Sequence, residues 1–94
     1  MYKEMKNKVV TVLTPLGEMI GRLESVDTTS VTLKDPRLFI SQDGGGGFAP
    51  GISMTGEMNP KEVTYQLNNV IAILKSHDDI EKGWQQATSG IVLQ

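Results

Sequence analysis

Ninety-four residues carry nine Lys or Arg against eleven Asp or Glu, a formal net charge of −2, with no cysteine and a single histidine. A chain of this length makes one small domain, too small to hold a buried active site and a large substrate cleft together, and its composition excludes a disulfide framework, a thiolate metal site and a thiol nucleophile. No apolar stretch approaches the ~20 residues that span a bilayer and the start MYKEMKNK has no secretory apolar region, so a cytoplasmic protein with no membrane partner is expected, and the slight acidity argues against holding nucleic acid by bulk charge alone.

Tyr2, Met5 and Val9 repeat at helical spacing and predict a short N-terminal helix. Lys8–Thr14 is β-branched and reads as a strand, followed by turn chemistry in Pro15-Leu16-Gly17. Glu18–Val26 alternates, with Met19, Gly21 and Leu23 on one face and Ile20, Arg22 and Glu24 on the other. Gly21 inside that strand marks a sharp bend or a close backbone approach. Asp27-Thr28-Thr29-Ser30 is a polar turn whose side chains can bond their own backbone. Val31-Thr32-Leu33 resumes the alternation and continues through Leu38-Phe39-Ile40, which requires Pro36 to sit at an edge or a bulge.

Residues 35–62 hold six of the ten glycines and three of the four prolines, and their centre, 41–59, is expected to be a long mobile loop. Gly44–Gly47 lacks the Gly-Lys-Ser/Thr that grips phosphate and reads as the tip of a flexible hairpin. Beyond it Glu62–Leu67 alternates Val63, Tyr65 and Leu67. Asn68-Asn69 supplies a two-residue hairpin turn, and Val70–Leu74 is a fifth, apolar strand. Ser76 can cap a helix over 77–88 that turns Ile80, Trp84 and Ala87 to one side, with His77, Asp78 and Asp79 as a solvated start. The apolar tail Ile91-Val92-Leu93 can add to a sheet edge or dock on a neighbour. Together these elements predict a mostly β, five-stranded, strongly bent antiparallel SH3-like barrel in one domain spanning 1–94.

The run Gly21–Lys34, GRLESVDTTSVTLK, resembles the first signature of the Sm and Sm-like (LSm, Hfq-type) proteins, with Gly21, Leu23, Asp27, Val31 and Leu33 in its slots. The three-residue turn after Asp27 is closest in spacing to the bacterial host-factor branch. TYQLNNVIAI at Thr64–Ile73 is similar to the second signature in its Asn-Asn turn, the following aliphatic Val70 and then Ile73. The resemblance runs over residues 9–75 and implies an Sm-like barrel with a short N-terminal helix. It further implies a homo-oligomeric ring of five to seven subunits, closed by edge-strand pairing, that consumes otherwise open edges.

The resemblance also implies single-stranded U- or A-rich RNA as ligand, held at the central pore by the two turns through base stacking and polar contacts. Carried over position by position, Asp27 orients its turn, Thr29 stands at the stacking slot, and Gln66 replaces an arginine. Asn68 and Asn69 keep amides that can read a base edge. Candidate RNA-binding residues are therefore Asp27, Thr28, Thr29, Ser30, Gln66, Asn68 and Asn69, with the flat and cationic parts of the family site replaced. Three readings stay open: RNA at these turns, RNA on a basic rim of Lys3, Lys6 and Lys8, or a ring that serves as a structural adaptor without RNA. A monomeric peptide-binding module is a fourth, poorly supplied with groove aromatics. No serine has a histidine partner and no carboxylate pair has acid–base spacing, so neither an enzyme nor a cofactor or metal is expected.

Overall fold

In the computed structural model, which describes residues 2–42 and 44–89, six strands form one antiparallel sheet. They are β1 (Val9–Thr14), β2 (Gly17–Val26), β3 (Ser30–Gln42), β4 (Gly45–Phe48), β5 (Glu62–Gln66) and β6 (Ala72–Lys75), followed by one helix, α1 (Asp78–Thr88). The strand order is β4-β3-β2-β1-β6, and β5 pairs β3 beside β4. The N-terminal helix is a single 3-10 turn over Tyr2–Met5. The apolar tail Ile91-Val92-Leu93 lies outside the described residues.

Two expectations about connections are corrected. The glycine run is a strand rather than a loose tip: Gly45–Phe48 pairs with Phe39–Gln42, and the amide of Ala49 closes the ladder on the carbonyl of Leu38 at 2.8 Å. The backbone ladder needs no side chain to form, and at Gly46 the Phe39 ring occupies the space a Cβ would take. The loop proper therefore starts after Phe48, and the strand count is six. The second correction concerns Asn68-Asn69. Leu67–Asn69 is a 3-10 turn, and the strands on either side do not form a hairpin. β5 goes to β3 and β6 goes to β1, so the sheet does not close on itself among the described residues.

The close backbone approach expected at Gly21 is present, at a bulge in the β2–β3 ladder. Ile20 faces Arg37 and Arg22 faces Lys34, so Gly21 alone stands opposite Asp35 and Pro36 in a bulge. A Cβ on Gly21 would lie 3.0 Å from the Lys34 carbonyl oxygen and 3.2 Å from the Leu33 Cβ. Pro36, which has no amide hydrogen to offer a ladder, sits where the ladder is interrupted. Asp35 takes φ 49°, in the left-handed region that aspartate tolerates better than most residues. Its amide donates to the Lys61 carbonyl at 2.7 Å, and its own carbonyl accepts the Trp84 indole N–H at 2.8 Å.

Because β1 and β2 alternate on both faces, each face has its own core. Val10, Val12, Met19, Leu23, Val31 and Leu33 form the core on one face. Val9 and Ile20 face the other way and are covered by Trp84, with Phe39, Phe48 and Ile80 around them. Phe39 and Phe48 meet edge to face at 5.3 Å, and the Arg22 guanidinium lies 5.4 Å from the Trp84 ring. Without α1, Val9 and Ile20 would face water at a cost of roughly 1.5–3 kcal/mol each, a large share of a small domain's stability. The helix begins at a different cap from the one expected. His77 Nδ1 accepts the Asp79 amide at 3.2 Å, while Ser76 is buried and its hydroxyl meets that of Thr11 at 2.9 Å. Ala87 is exposed, so Ile80 and Trp84 carry the packing.

Gly21→Ala should destabilise the fold by about 1–3 kcal/mol, the usual cost of overpacking, because backbone rather than a swinging side chain blocks the new methyl. Gly45→Ala, with open space around it, should stay within about 0.5 kcal/mol of the original. Urea unfolding of the two variants checks the contrast, and equal midpoints would contradict the bulge as described.

Candidate nucleic-acid interface

Asp27 builds the first turn from a single carboxylate. Its Oδ1 accepts the amides of Thr29 and Ser30, both at 2.8 Å, and the hydroxyls of the same two residues at 3.2 Å. The Asp27 amide donates back to the Ser30 carbonyl at 2.9 Å. This Asx arrangement is local in sequence, which is why it was readable there. The two amide donors stabilise the charged form and hold the Asp27 carboxyl below its ordinary value of 3.8.

The second turn is brought to the first by β5. Ser30 stands opposite Gln66 in the β3–β5 register, and one step further the Leu67 amide donates to the Thr29 carbonyl at 2.8 Å. A direct backbone bond therefore joins two turns almost forty residues apart in the sequence. Thr28, Thr29, Gln66, Asn68 and Asn69 are exposed and Ser30 is half-buried, so the predicted residues form a polar rim at one end of the sheet. Asp27 is the only charged residue in 25–30 and 64–70.

Cations come from the N-terminus. Lys3, Lys6 and the Tyr2 side chain line a cavity of about 340 Å³ together with Leu23, Ser25 and Val26, the strand that leads directly into Asp27. Lys8 is exposed but does not line it. The three lysines of the basic rim thus divide, two standing by the first turn's approach.

A second cavity, of about 480 Å³, was not anticipated from the sequence. The β1–β2 turn (Pro15, Leu16) forms one wall, and Tyr65, Gln66, Asn69 and Val70 form the other. Leu16 is 89% exposed. Tyr65 is half-buried with its ring against the first core, and its hydroxyl is shut from solvent with no hydrogen-bond partner among the described residues. Burial pushes the phenol up to about 12. The alternation of Glu62–Leu67 shows that Tyr65 points inward; what it meets there depends on a turn fifty residues earlier, which no local pattern discloses.

Among the described residues no group of three or more His, Cys, Asp or Glu is placed to hold a metal, and no helix is long and apolar enough to cross a membrane. No known family model matches the chain, and no curated protein matches it.

Asp27 should titrate with a midpoint below 3.8. A carboxyl held low in the folded state contributes stability that is complete above its unfolded value and is lost as pH falls through the folded one. Acid unfolding followed below pH 4 should therefore be less steep in Asp27→Asn, which keeps an acceptor oxygen but cannot be protonated. Carboxyl NMR giving a midpoint at or above 3.8 would contradict the two short amide contacts.

Proposed function

We propose that this chain is an Sm-like subunit whose bent sheet works as an open SH3-like barrel, closes a homo-oligomeric ring of five to seven copies, and binds single-stranded RNA at the ring's inner turns. The observation that carries the reading is the 2.8 Å bond between Leu67 and Thr29, which unites the two motif-bearing turns into one polar rim. The strand order supports the ring. β5 and β6 are joined by only five residues, 67–71, yet pair with different partners, so each keeps an edge without a strand on it among the described residues. Such edges are an aggregation hazard unless another chain takes them up. Ile71 and Leu74, at and beside β6, are 69% and 46% exposed, apolar surface that pairing with a second copy would cover.

In the ring each subunit repeats a modest polar site, and avidity multiplies it. Asn68 and Asn69 offer amide donors and acceptors to base edges, while the hydroxyl-rich Asp27 turn holds the opposite side. Lys3 and Lys6, beside the strand entering that turn, supply the positive charge that the turns themselves lack. A ring adaptor without RNA is the competing reading. It is favoured by Thr29 and Gln66, which stand where the family resemblance puts a flat side chain and an arginine.

Light scattering at micromolar concentration should give five to seven times the monomer mass; a monomer would overturn the ring. Fluorescence anisotropy with oligo-U and oligo-A at two salt concentrations tests the ligand. The Asn68→Ala/Asn69→Ala double variant should lose tenfold or more in affinity. Equal binding by that variant and the parent would turn the assignment to the adaptor, and a steep salt dependence without base preference to the Lys3, Lys6 and Lys8 rim.

A further inference from the structure

We infer that the apolar segment Ile91-Val92-Leu93, beyond the last described residue Ser89, turns back along α1 and docks in the groove between that helix and the Phe39–Phe48 ring pair. The groove, of about 470 Å³, runs beside α1 over the outer face of the sheet, from Phe39 and Ile80 at one end to Leu74 on β6 at the other. Its β6 end adjoins the edge assigned above to a second copy. Its Phe39 end continues to Phe48, whose ring meets that of Phe39 at 5.3 Å, and on to the flank of Gly83, where an added Cβ would stand 3.3 Å from the Phe48 ring. This end is the one the segment fills.

The last turn of α1 gives the first argument. Ala87 stands two helical turns from Ile80 and so on the same side, yet Ile80 packs on the outer core and Ala87 is exposed. The packing side of the helix thus outlasts what packs on it by one turn. Reach gives the second. About 13 Å of helix separates Ser89 from Ile80 at ~1.5 Å per residue, and Gly90–Leu93 in extended form spans about the same length at ~3.3 Å per residue. Running back beside α1, the segment sets Ile91 under Ala87 and brings Leu93 to Phe39 and Ile80. The third argument is in the residues themselves. Ser89 still has helical φ −65° and ψ −20°, and the residue after it is glycine, the type that reverses a chain beyond a helix cap. Three apolar residues then follow without a charge. In extended form Ile91 and Leu93 share one side and Val92 takes the other, so the first two face the groove. The tether to the groove's own helix gives the segment a high effective concentration there, ahead of a free peptide or another chain's tail.

Methyl NMR on the whole 94-residue chain reads the contact. The Ile91 and Leu93 methyls should give NOEs to the Phe39 and Phe48 rings, and those of Val92 should give none. In a sample mixed from methyl-labelled chains and ring-labelled chains the same NOEs should vanish, because the contact lies within one chain. Leu93→Ser should lower the thermal unfolding midpoint by about 2 °C or more, while Val92→Ser should stay within about 1 °C of the parent. Ala87→Lys separates docking from helix propensity. A cation in the last turn suits a bare helix and would hold or raise the midpoint, whereas with the segment beneath it the variant should lower the midpoint and erase the NOEs. No NOE from Ile91 or Leu93 to either ring overturns the inference. So does a Leu93→Ser midpoint equal to the parent's, or a raised midpoint in Ala87→Lys. NOEs that persist in the mixed sample give the groove to a second copy's segment and overturn it as well.

Discussion

A strand has two edges, and β3 uses one of them twice. Along Ser30–Lys34 its outer edge takes β5, and along Phe39–Gln42 the same edge takes β4. Straight strands cannot diverge that way over so short a length, so everything downstream depends on the bulge where Gly21 faces Asp35 and Pro36. It is held from both sides of one residue: the Asp35 amide is tied to Lys61 and its carbonyl to the Trp84 indole. Remove the close approach at Gly21 and β5 loses its alignment with Val31 and Leu33. With that goes the bond that brings Leu67 to Thr29, and the two turns cease to be neighbours.

The two faces of the bent sheet then serve different ends. The inner core is aliphatic and closes under the turns, with Tyr65, Leu67, Val70 and Ile73 around its margin. The outer one is aromatic and gathers α1, the β3–β4 hairpin and the start of β1 around Trp84. Polar pairs lie at the seams, the Thr11 and Ser76 hydroxyls at 2.9 Å where β1 meets the entry to α1, and those of Thr32 and Thr64 at 2.9 Å where β3 meets β5. The first satisfies two buried hydroxyls, and the second gives the buried Thr32 a partner in the exposed Thr64.

What could be read from the residues was whatever depends on near neighbours. The faces of β2, the close approach at Gly21, the bulge at Pro36 and the Asx turn at Asp27 all follow from a few adjacent side chains and their backbone. What could not be read depended on distant partners. Asn68-Asn69 carries the chemistry of a hairpin, but the flanking strands are claimed by β3 and β1, and tertiary pairing prevails over the turn preference. The glycine run carries no strand signal, yet Gly45, Gly46 and Gly47 pair with β3, the Phe39 ring lying against Gly46. The Tyr65 cleft needs the β1–β2 turn to meet β5, and neither segment hints at the other. Charge shows the same division: the net −2 of the chain was visible at once, whereas the gathering of Lys3 and Lys6 beside the strand that enters the Asp27 turn was not.

Trp84 is the only tryptophan in the chain, and its indole is bonded to a carbonyl forty-nine residues away, at the point where β3 turns. Excited at its red edge, the protein therefore has one chromophore, and that chromophore lies against the bend rather than against either turn. Its emission reports the setting of that one ring, where the Asp35 carbonyl, the Arg22 guanidinium and the packed Val9 and Ile20 surround it.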